Sequence, residues 1–354
     1  MDVRIADVLH DAVPYSLPLT RPFRGLTERE GVLLRGPSGW GEFAPFADYT
    51  PEQAARWLAC AVESAFGTWP TPLRQRIPVN AIIPAVSATQ AAEMARTAVL
   101  DHGCSTIKIK VAAAGETLAD DESRVVSVRD AADSAMLSTG SSAKVHLRLD
   151  ANGGWDLATA ERALRRLAAY RLQYVEQPCR SPEDLRELRA QVEVPIAVDE
   201  GVRVDSLSGV QLRDIADVII VKAGPLGGVR AAQKLAEDVG LPVVVSGGLD
   251  SAVGLSAGTA LAAVLDAPAD TARWGDGSQW ASGLGTGALL EADVVRPVRV
   301  PVDGHLEVGR VSPDLDALMR ARERLSDDRA KQWRQRVVDA WLAGGESLIE
   351  QLDN

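Results

Sequence analysis

The 354-residue chain is short of several things that would narrow its function at once. Its three cysteines, Cys60, Cys104 and Cys179, stand far apart with no Cys-x-x-Cys spacing, which argues against a zinc site and a disulfide framework. No uncharged apolar stretch reaches the ~18 residues that a membrane span needs. The N-terminus, Met1-Asp2-Val3-Arg4, lacks a basic region followed by an apolar run. Basic charge is also scarce: 38 Lys and Arg face 49 Asp and Glu, a formal net charge of −11. Nucleic-acid binding needs cations clustered on phosphates, so that balance argues against it. The expectation is a reducing, cytoplasmic protein with no membrane or nucleic-acid partner.

What is present is ordinary globular material, 46% hydrophobic and 25% charged. Aromatics are only 5%, while Ala, Val, Leu and Gly abound, a mix that suits helices packed tightly on parallel strands. The length fits one large barrel and a smaller domain. Residues 1–76 alternate short apolar runs with turn signals, then show a helical pattern over Pro51–Phe66 with Pro in its first turn. This predicts an α+β unit. From 77 to 300 the pattern is strand, loop, helix, repeated. Expected strands are Val79–Ile83, Thr106–Lys110, Lys144–Asp150, Gln173–Glu176, Ile196–Asp199, Val218–Lys222 and Val243–Ser246. Expected helices are Leu157–Ala169, Pro182–Gln191, Ser206–Ile215, Val229–Val239 and Ala252–Leu265. An open doubly wound sheet or a closed barrel follows from such units, and their number favours the barrel. Asp130–Ala143 reads as an extended surface loop. In the tail, 301–354, the amphipathic segment Ala330–Ala343 is expected to pack back on the first unit.

The polar residues at the strand ends carry the chemistry. Asp150, Glu176 and Asp199 each close an apolar strand, at spacings of 26 and 23 residues, about one βα unit each. Three acids are thereby expected at the C-terminal ends of consecutive strands, the face where barrel enzymes place their sites. Each alone is as well explained as the cap of a following helix. Together they repel unless a cation joins them, and an all-oxygen set suits a hard divalent ion. Lys108 and Lys110 alternate with Ile107 and Ile109, so both ammonium groups point to one face. Lys222 ends its strand 23 residues after Asp199, on the other side of the acids in strand order. Lysines flanking a carboxylate-bound metal suit removal of a weakly acidic proton next to a substrate carboxylate, because an amine near a cation can serve as a base.

Taken together these residues resemble the muconate-lactonizing subgroup of the enolase superfamily. The similarity lies in the Lys-x-Lys strand (Lys108, Lys110), the Asp-x-Asn strand end (Asp150, Asn152), Glu176-Gln177-Pro178, Asp199-Glu200 and Lys222, and it runs to about residue 300. It implies an α/β fold, a (β/α)7β modified TIM barrel with an α+β capping domain. It also implies Mg2+, replaceable by Mn2+, held by Asp150, Glu176 and Asp199. Within the subgroup the chain is most similar to actinobacterial dehydratases of menaquinone biosynthesis. Arg148, the Ser246-Gly247-Gly248-Leu249-Asp250-Ser251 strand end and the Arg21-Pro22-Phe23-Arg24-Gly25 loop carry that likeness. It implies conversion of a small carboxylate, 2-succinyl-6-hydroxy-2,4-cyclohexadiene-1-carboxylate, to its aromatic product. Lys110 would be base and then acid, and Lys222 a stabilising cation. Lys108, Arg148, Asn152, Gly247, Gly248 and Arg24 would contact the substrate. Asp130–Ala143 and the Gly-Gly pair depart from the subgroup pattern.

Rival readings accompany these. The same opposed lysines would serve a racemase of N-acylated amino acids or a dipeptide epimerase. A barrel that binds metal and ligand without catalysis would not need both lysines and all three acids. His146 shares the parity of Arg148 and Asp150 and is expected inside the lower barrel. Gly283-Leu284-Gly285-Thr286-Gly287 lacks the βα unit of a dinucleotide loop. Trp274 and Trp280 are expected at the barrel bottom or rim.

Overall fold

The computed structural model describes residues 3–23, 25–203, 207–266 and 280–353. The chain opens with a short helix, α1 (Ile5–His10), and an antiparallel meander of β1 (Val13–Phe23), β2 (Leu26–Gly36) and β3 (Gly39–Phe43). Helix α2 (Pro51–Phe66) starts where the sequence says it should. Thr50 Oγ1 accepts from the Gln53 amide at 3.3 Å, Gln53 Oε1 accepts from the Thr50 amide at 3.1 Å, and Pro51 fills the first turn. The helix lies so close to the sheet that a Cβ on Gly41 would stand 1.9 Å from the Ala61 carbonyl oxygen. Trp57, Leu58, Ala61 and Val62 join Val32, Leu34 and Phe43 in one core, and the C-terminal helix Asp327–Ala340 adds Trp333, Val337 and Ala340. The C-terminal helix therefore packs against α2 and the first sheet.

After β4 (Arg76–Pro78), which pairs with the short strand His305–Glu307, the repeated units begin. They run β5 (Ala81–Ile83), α3 (Ala88–Leu100), β6 (Thr106–Lys110), α4 (Leu118–Ser138), β7 (His146–Asp150), α5 (Leu157–Leu167), β8 (Leu172–Glu176), α6 (Pro182–Gln191) and β9 (Ile196–Val198). Then come α7 (Glu200–Arg203), α8 (Gly209–Ile215), β10 (Val218–Val221), α9 (Ala223–Leu226), α10 (Val229–Val239), β11 (Val243–Val245) and α11 (Ala252–Val264). Strands β5 to β11 are parallel and hydrogen-bonded in chain order.

Ser282 and Gly283 close the ring. The Ser282 amide donates to the Pro78 carbonyl at 2.8 Å and the Asn80 amide to the Ser282 carbonyl at 2.9 Å. On the other side, the Gly283 amide donates to the Val245 carbonyl at 2.7 Å and the Gly247 amide to the Gly283 carbonyl at 3.2 Å. A two-residue eighth strand thus joins β11 to β5, and the barrel is (β/α)7β. The glycines of 283–287 serve this seam: a Cβ on Gly283 would meet Ser246 Oγ at 2.6 Å, and one on Gly285 the Asn80 carbonyl oxygen at 2.4 Å. The run is close packing, not a dinucleotide loop.

Strand alternation sorts the side chains. Ile107, Ile109, Leu147, Leu149, Val175, Ile196, Val198, Ile219 and Val221 face the helices in one large core. Tyr174, Ala197, Val218, Ile220, Val244 and Trp280 fill the barrel interior below the strand ends. Trp280 is part of that interior layer; Trp274 lies outside the described residues.

Three expectations need correction. Asp130–Ser138 is the second half of α4, not loop, because Val125, Val128, Ala131, Ala132 and Ala135 form one buried stripe at helical spacing. The small polar residues between them masked that periodicity. Helices α3 and the first half of α4 were not among the expected segments, although Thr117 and Asp120 form a capping box at the start of α4. His146 is exposed at the entrance of β7, one rung too far from the interior for its parity to bury it.

Candidate active site

Most of the expected site residues lie at the C-terminal ends of β6 to β11. Register explains why. Lys110 pairs with Asp150 and Asp150 with Glu176 across neighbouring strands, so the acids and Lys110 stand side by side. Strands β6 and β10 are four apart in an eight-membered ring, which sets Lys110 and Lys222 on opposite walls. Asp150, Glu176 and Asp199 are each 1% exposed. The turns behind them are held in left-handed backbone at Ala112 (φ 58°), Asn152 (φ 47°), Gln177 (φ 41°) and Leu249 (φ 63°), a conformation tolerated where a site demands it.

Every acid is matched by a cation. Lys108 Nζ donates to both Glu176 oxygens at 3.1 and 2.9 Å and lies 3.2 Å from Asp150 Oδ2. Lys110 Nζ donates to Asp150 Oδ2 at 2.5 Å and to Asn152 Oδ1 at 2.6 Å. Lys222 Nζ donates to Asp199 Oδ2 at 2.6 Å. Arg203 Nε lies 3.1 Å from each Asp199 oxygen, and its terminal nitrogens reach Glu200 Oε1 at 2.7 Å and the Tyr49 hydroxyl of the cap. Gln177 Oε1 accepts from the Asp199 and Glu200 amides, both at 3.1 Å, and fixes that strand end.

The electrostatics follow from burial. Desolvation, then the charge of Asp150, pushes the Glu176 carboxyl up to about 7 from its usual 4.5. For Lys108 burial works against the charge, but Glu176 and Asp150 outweigh it and hold the amine well above its ordinary range. Among the described residues no three acidic, Cys or His side chains are already drawn round one point as ligands would be. Instead the ammonium of Lys108 stands between Asp150 and Glu176, where it supplies the positive charge these buried oxygens need. Three adjoining carboxylates at one barrel mouth, with a cation already serving as their counter-charge, fit a hard divalent ion by donor chemistry.

A cavity opens over this cluster, lined by Lys108, Lys110, Asp150, Glu176, Arg203 and Lys222, with Ser246, Gly247, Gly248 and Thr286 to one side. The cap roofs it with Phe23, Phe46, Tyr49 and Trp57. Of the expected substrate contacts, Lys108, Gly247 and Gly248 line it. Asn152 sits at the mouth, bound to Lys110. The amides of Gly247 and Gly248 are taken by the Gly283 carbonyl and by Asp250 Oδ2, so the pair offers room more than donors. Arg148 is elsewhere: wholly buried below the site, it bonds Gln173, Asn80 and the Ala281 carbonyl and lies 4.8 Å over the Tyr174 ring. Arg24 lies outside the described residues. Sequence reasoning missed Arg203, Thr286 and the aromatic roof. Arg203 stands one helical turn beyond Asp199, and three aromatics within 46–57 of an aromatic-poor chain were the available signal.

Fold and site together define a parallel barrel with buried acids and lysines at its mouth, beneath an α+β cap. Residues 14–65 match the Enolase N-terminal domain-like family and residues 90–314 the Enolase C-terminal domain-like family. The chain is 46% identical over 299 residues to the o-succinylbenzoate synthase of Thermobifida fusca, covering 84% of this chain and 87% of that protein. It is 43% identical over 336 residues to that of Mycobacterium ulcerans, covering 94% of each. The fold is similar to that of a muconate lactonizing enzyme from Pseudomonas fluorescens complexed with muconolactone, with TM-score 0.71, 20% identity and coverage of 88% of this chain and 97% of that one. The chain belongs to the enolase superfamily and, within it, to the o-succinylbenzoate synthases. It is a lyase of a superfamily whose members use a divalent metal. No described helix is long and apolar enough to cross a membrane.

Proposed function

We propose that the protein dehydrates 2-succinyl-6-hydroxy-2,4-cyclohexadiene-1-carboxylate to o-succinylbenzoate in menaquinone biosynthesis, with Mg2+, or Mn2+ in its place, held by Asp150, Glu176 and Asp199. The observation that carries this reading is the pair Lys110 and Lys222 facing each other across one aromatic-roofed cavity above three buried acids. Bound there, the metal would set positive charge against the substrate carboxylate and take over the acids that the lysines now neutralise.

Lys110 is the base. Its amine takes the ring proton next to the carboxylate, and the electron pair of the broken C–H bond passes into an enediolate. The same group, now an ammonium, gives its proton to the departing hydroxyl, so water leaves, the ring becomes aromatic and the amine is regenerated. Lys222, on the opposite face, holds positive charge near the enediolate throughout. Asn152 orients Lys110, and Arg203 with Tyr49 ties the cap to the acid cluster. The cytoplasm is the proposed compartment, which three free, buried thiols support.

The test is turnover of the cyclohexadiene carboxylate, followed by its ultraviolet absorbance change. In deuterium oxide, N-succinyl amino acids should exchange their α-hydrogen slowly or not at all. Fast exchange and racemisation without o-succinylbenzoate would assign the site to a racemase instead.

A further inference from the structure

Among the described residues, the cations lining the cavity, Lys108, Lys110, Arg203 and Lys222, all bond to acids, but two neutral polar groups there have no hydrogen-bond partner. Trp57 Nε1 and Thr286 Oγ1 are buried without a hydrogen-bond partner, in residues 4% and 3% exposed. Among the buried side-chain atoms left without partners in the described residues, these two belong to the cavity wall. An indole N–H only donates, so it requires an acceptor, and leaving it dry and unpaired is costly.

Both groups are rigidly placed. The six-membered ring of Trp57 rests on two glycines: a Cβ on Gly224 would come within 2.8 Å of Trp57 Cε3, and one on Gly248 within 2.7 Å of Cη2. Thr286 sits between Gly285 and Gly287, whose lack of side chains lets the turn press on the Asn80 and Arg299 carbonyls. Gly224 follows β10, Gly248 follows β11 and Thr286 follows the closing strand. Trp57 and Thr286 thus occupy the arc of the barrel away from β7, β8 and β9, whose ends carry the acids.

We propose that Trp57 Nε1 and Thr286 Oγ1 hydrogen-bond the oxygens of the substrate's side arm, and so select a ring acid with an oxygenated ortho chain. This rests on the synthase reading, in which the ring carboxylate lies toward the acids and the succinyl arm must lie elsewhere. The keto and carboxylate oxygens of that arm are acceptors, as a donor-only indole requires. Neither residue moves a proton; both set specificity.

The test uses Trp57→Phe, which keeps a ring over the glycines, and Thr286→Val, which keeps the shape without the hydroxyl. Binding of o-succinylbenzoate and of 2-butylbenzoate, which has the same ring and chain length but no arm oxygens, is measured by calorimetry on the Mg2+-loaded protein. Each variant should bind o-succinylbenzoate about tenfold or more weakly and lower kcat/KM mainly through KM, with 2-butylbenzoate binding unchanged. Thr286→Ser should restore most of the loss. Equal weakening of both ligands, meaning a packing role, overturns the proposal, as does no weakening of either. Wild-type protein that binds o-succinylbenzoate tightly yet shows no turnover overturns the synthase reading instead, so the two failures are told apart.

Discussion

Replacing Lys108 by Met isolates the electrostatic logic of the cluster. Its ammonium is 2.9 Å from Glu176 Oε2 and 3.2 Å from Asp150 Oδ2, and the side chain is 5% exposed. Methionine fills much of the same volume but leaves two buried carboxylates facing each other. At an effective dielectric of about 20, one unit pair 3 Å apart is worth roughly 5 kcal/mol of Coulomb energy. The lysine's own desolvation, which the substitution removes, offsets part of that. Breaking a buried pair by deleting one partner costs about 3–5 kcal/mol, and the lower half of that range is expected here because Lys110 still holds Asp150. Removing both charges in Lys108→Met/Glu176→Gln should cost less than the single substitution, since the orphaned acid is gone. Urea unfolding in EDTA, followed by circular dichroism, gives both values if the denaturant slope is unchanged. Adding Mg2+ should recover stability in the single variant by supplying a replacement cation. A Lys108→Met protein that loses under about 1 kcal/mol, or a double variant worse than the single, would refute the reasoning.

Lys110→Ala should lower turnover about 100- to 10,000-fold with an unchanged circular dichroism spectrum, and a loss below that range contradicts a general-base role. Chelation should abolish turnover and Mg2+ or Mn2+ restore it; Asp199→Asn should weaken metal binding measured by calorimetry. Glu42 of the cap, 8% exposed and accepting from the Ser251 amide at 3.0 Å, is pushed up to about 7 by burial and then by Asp250. Its folded pKa exceeds its unfolded one, so its contribution is complete below about 4.5 and lost as pH rises through about 7. Glu42→Gln should therefore narrow the fall in melting temperature between pH 5 and pH 8.5, and an unchanged fall counts against it.

The sequence by itself determined the strands and what they present. Alternation in Thr106-Ile107-Lys108-Ile109-Lys110 follows from backbone pleating, so the shared face of the two lysines was legible before any fold was known. The acids at the ends of β7, β8 and β9 were legible for the same local reason, and all three sit buried at one mouth. Helix α4 was less so, because the alanines of its second half gain their meaning only from packing on α3. Only tertiary structure decided the rest. Arg148 shares the parity of Asp150 but lies one rung lower, and depth in a barrel is set by strand stagger, which no single strand encodes. Arg203 meets Tyr49 across 154 residues, and Trp57 of the cap reaches α9 after β10 and the turn after β11. Such contacts arise where segments distant in the chain meet, and a local pattern carries no record of which distant surface it will face.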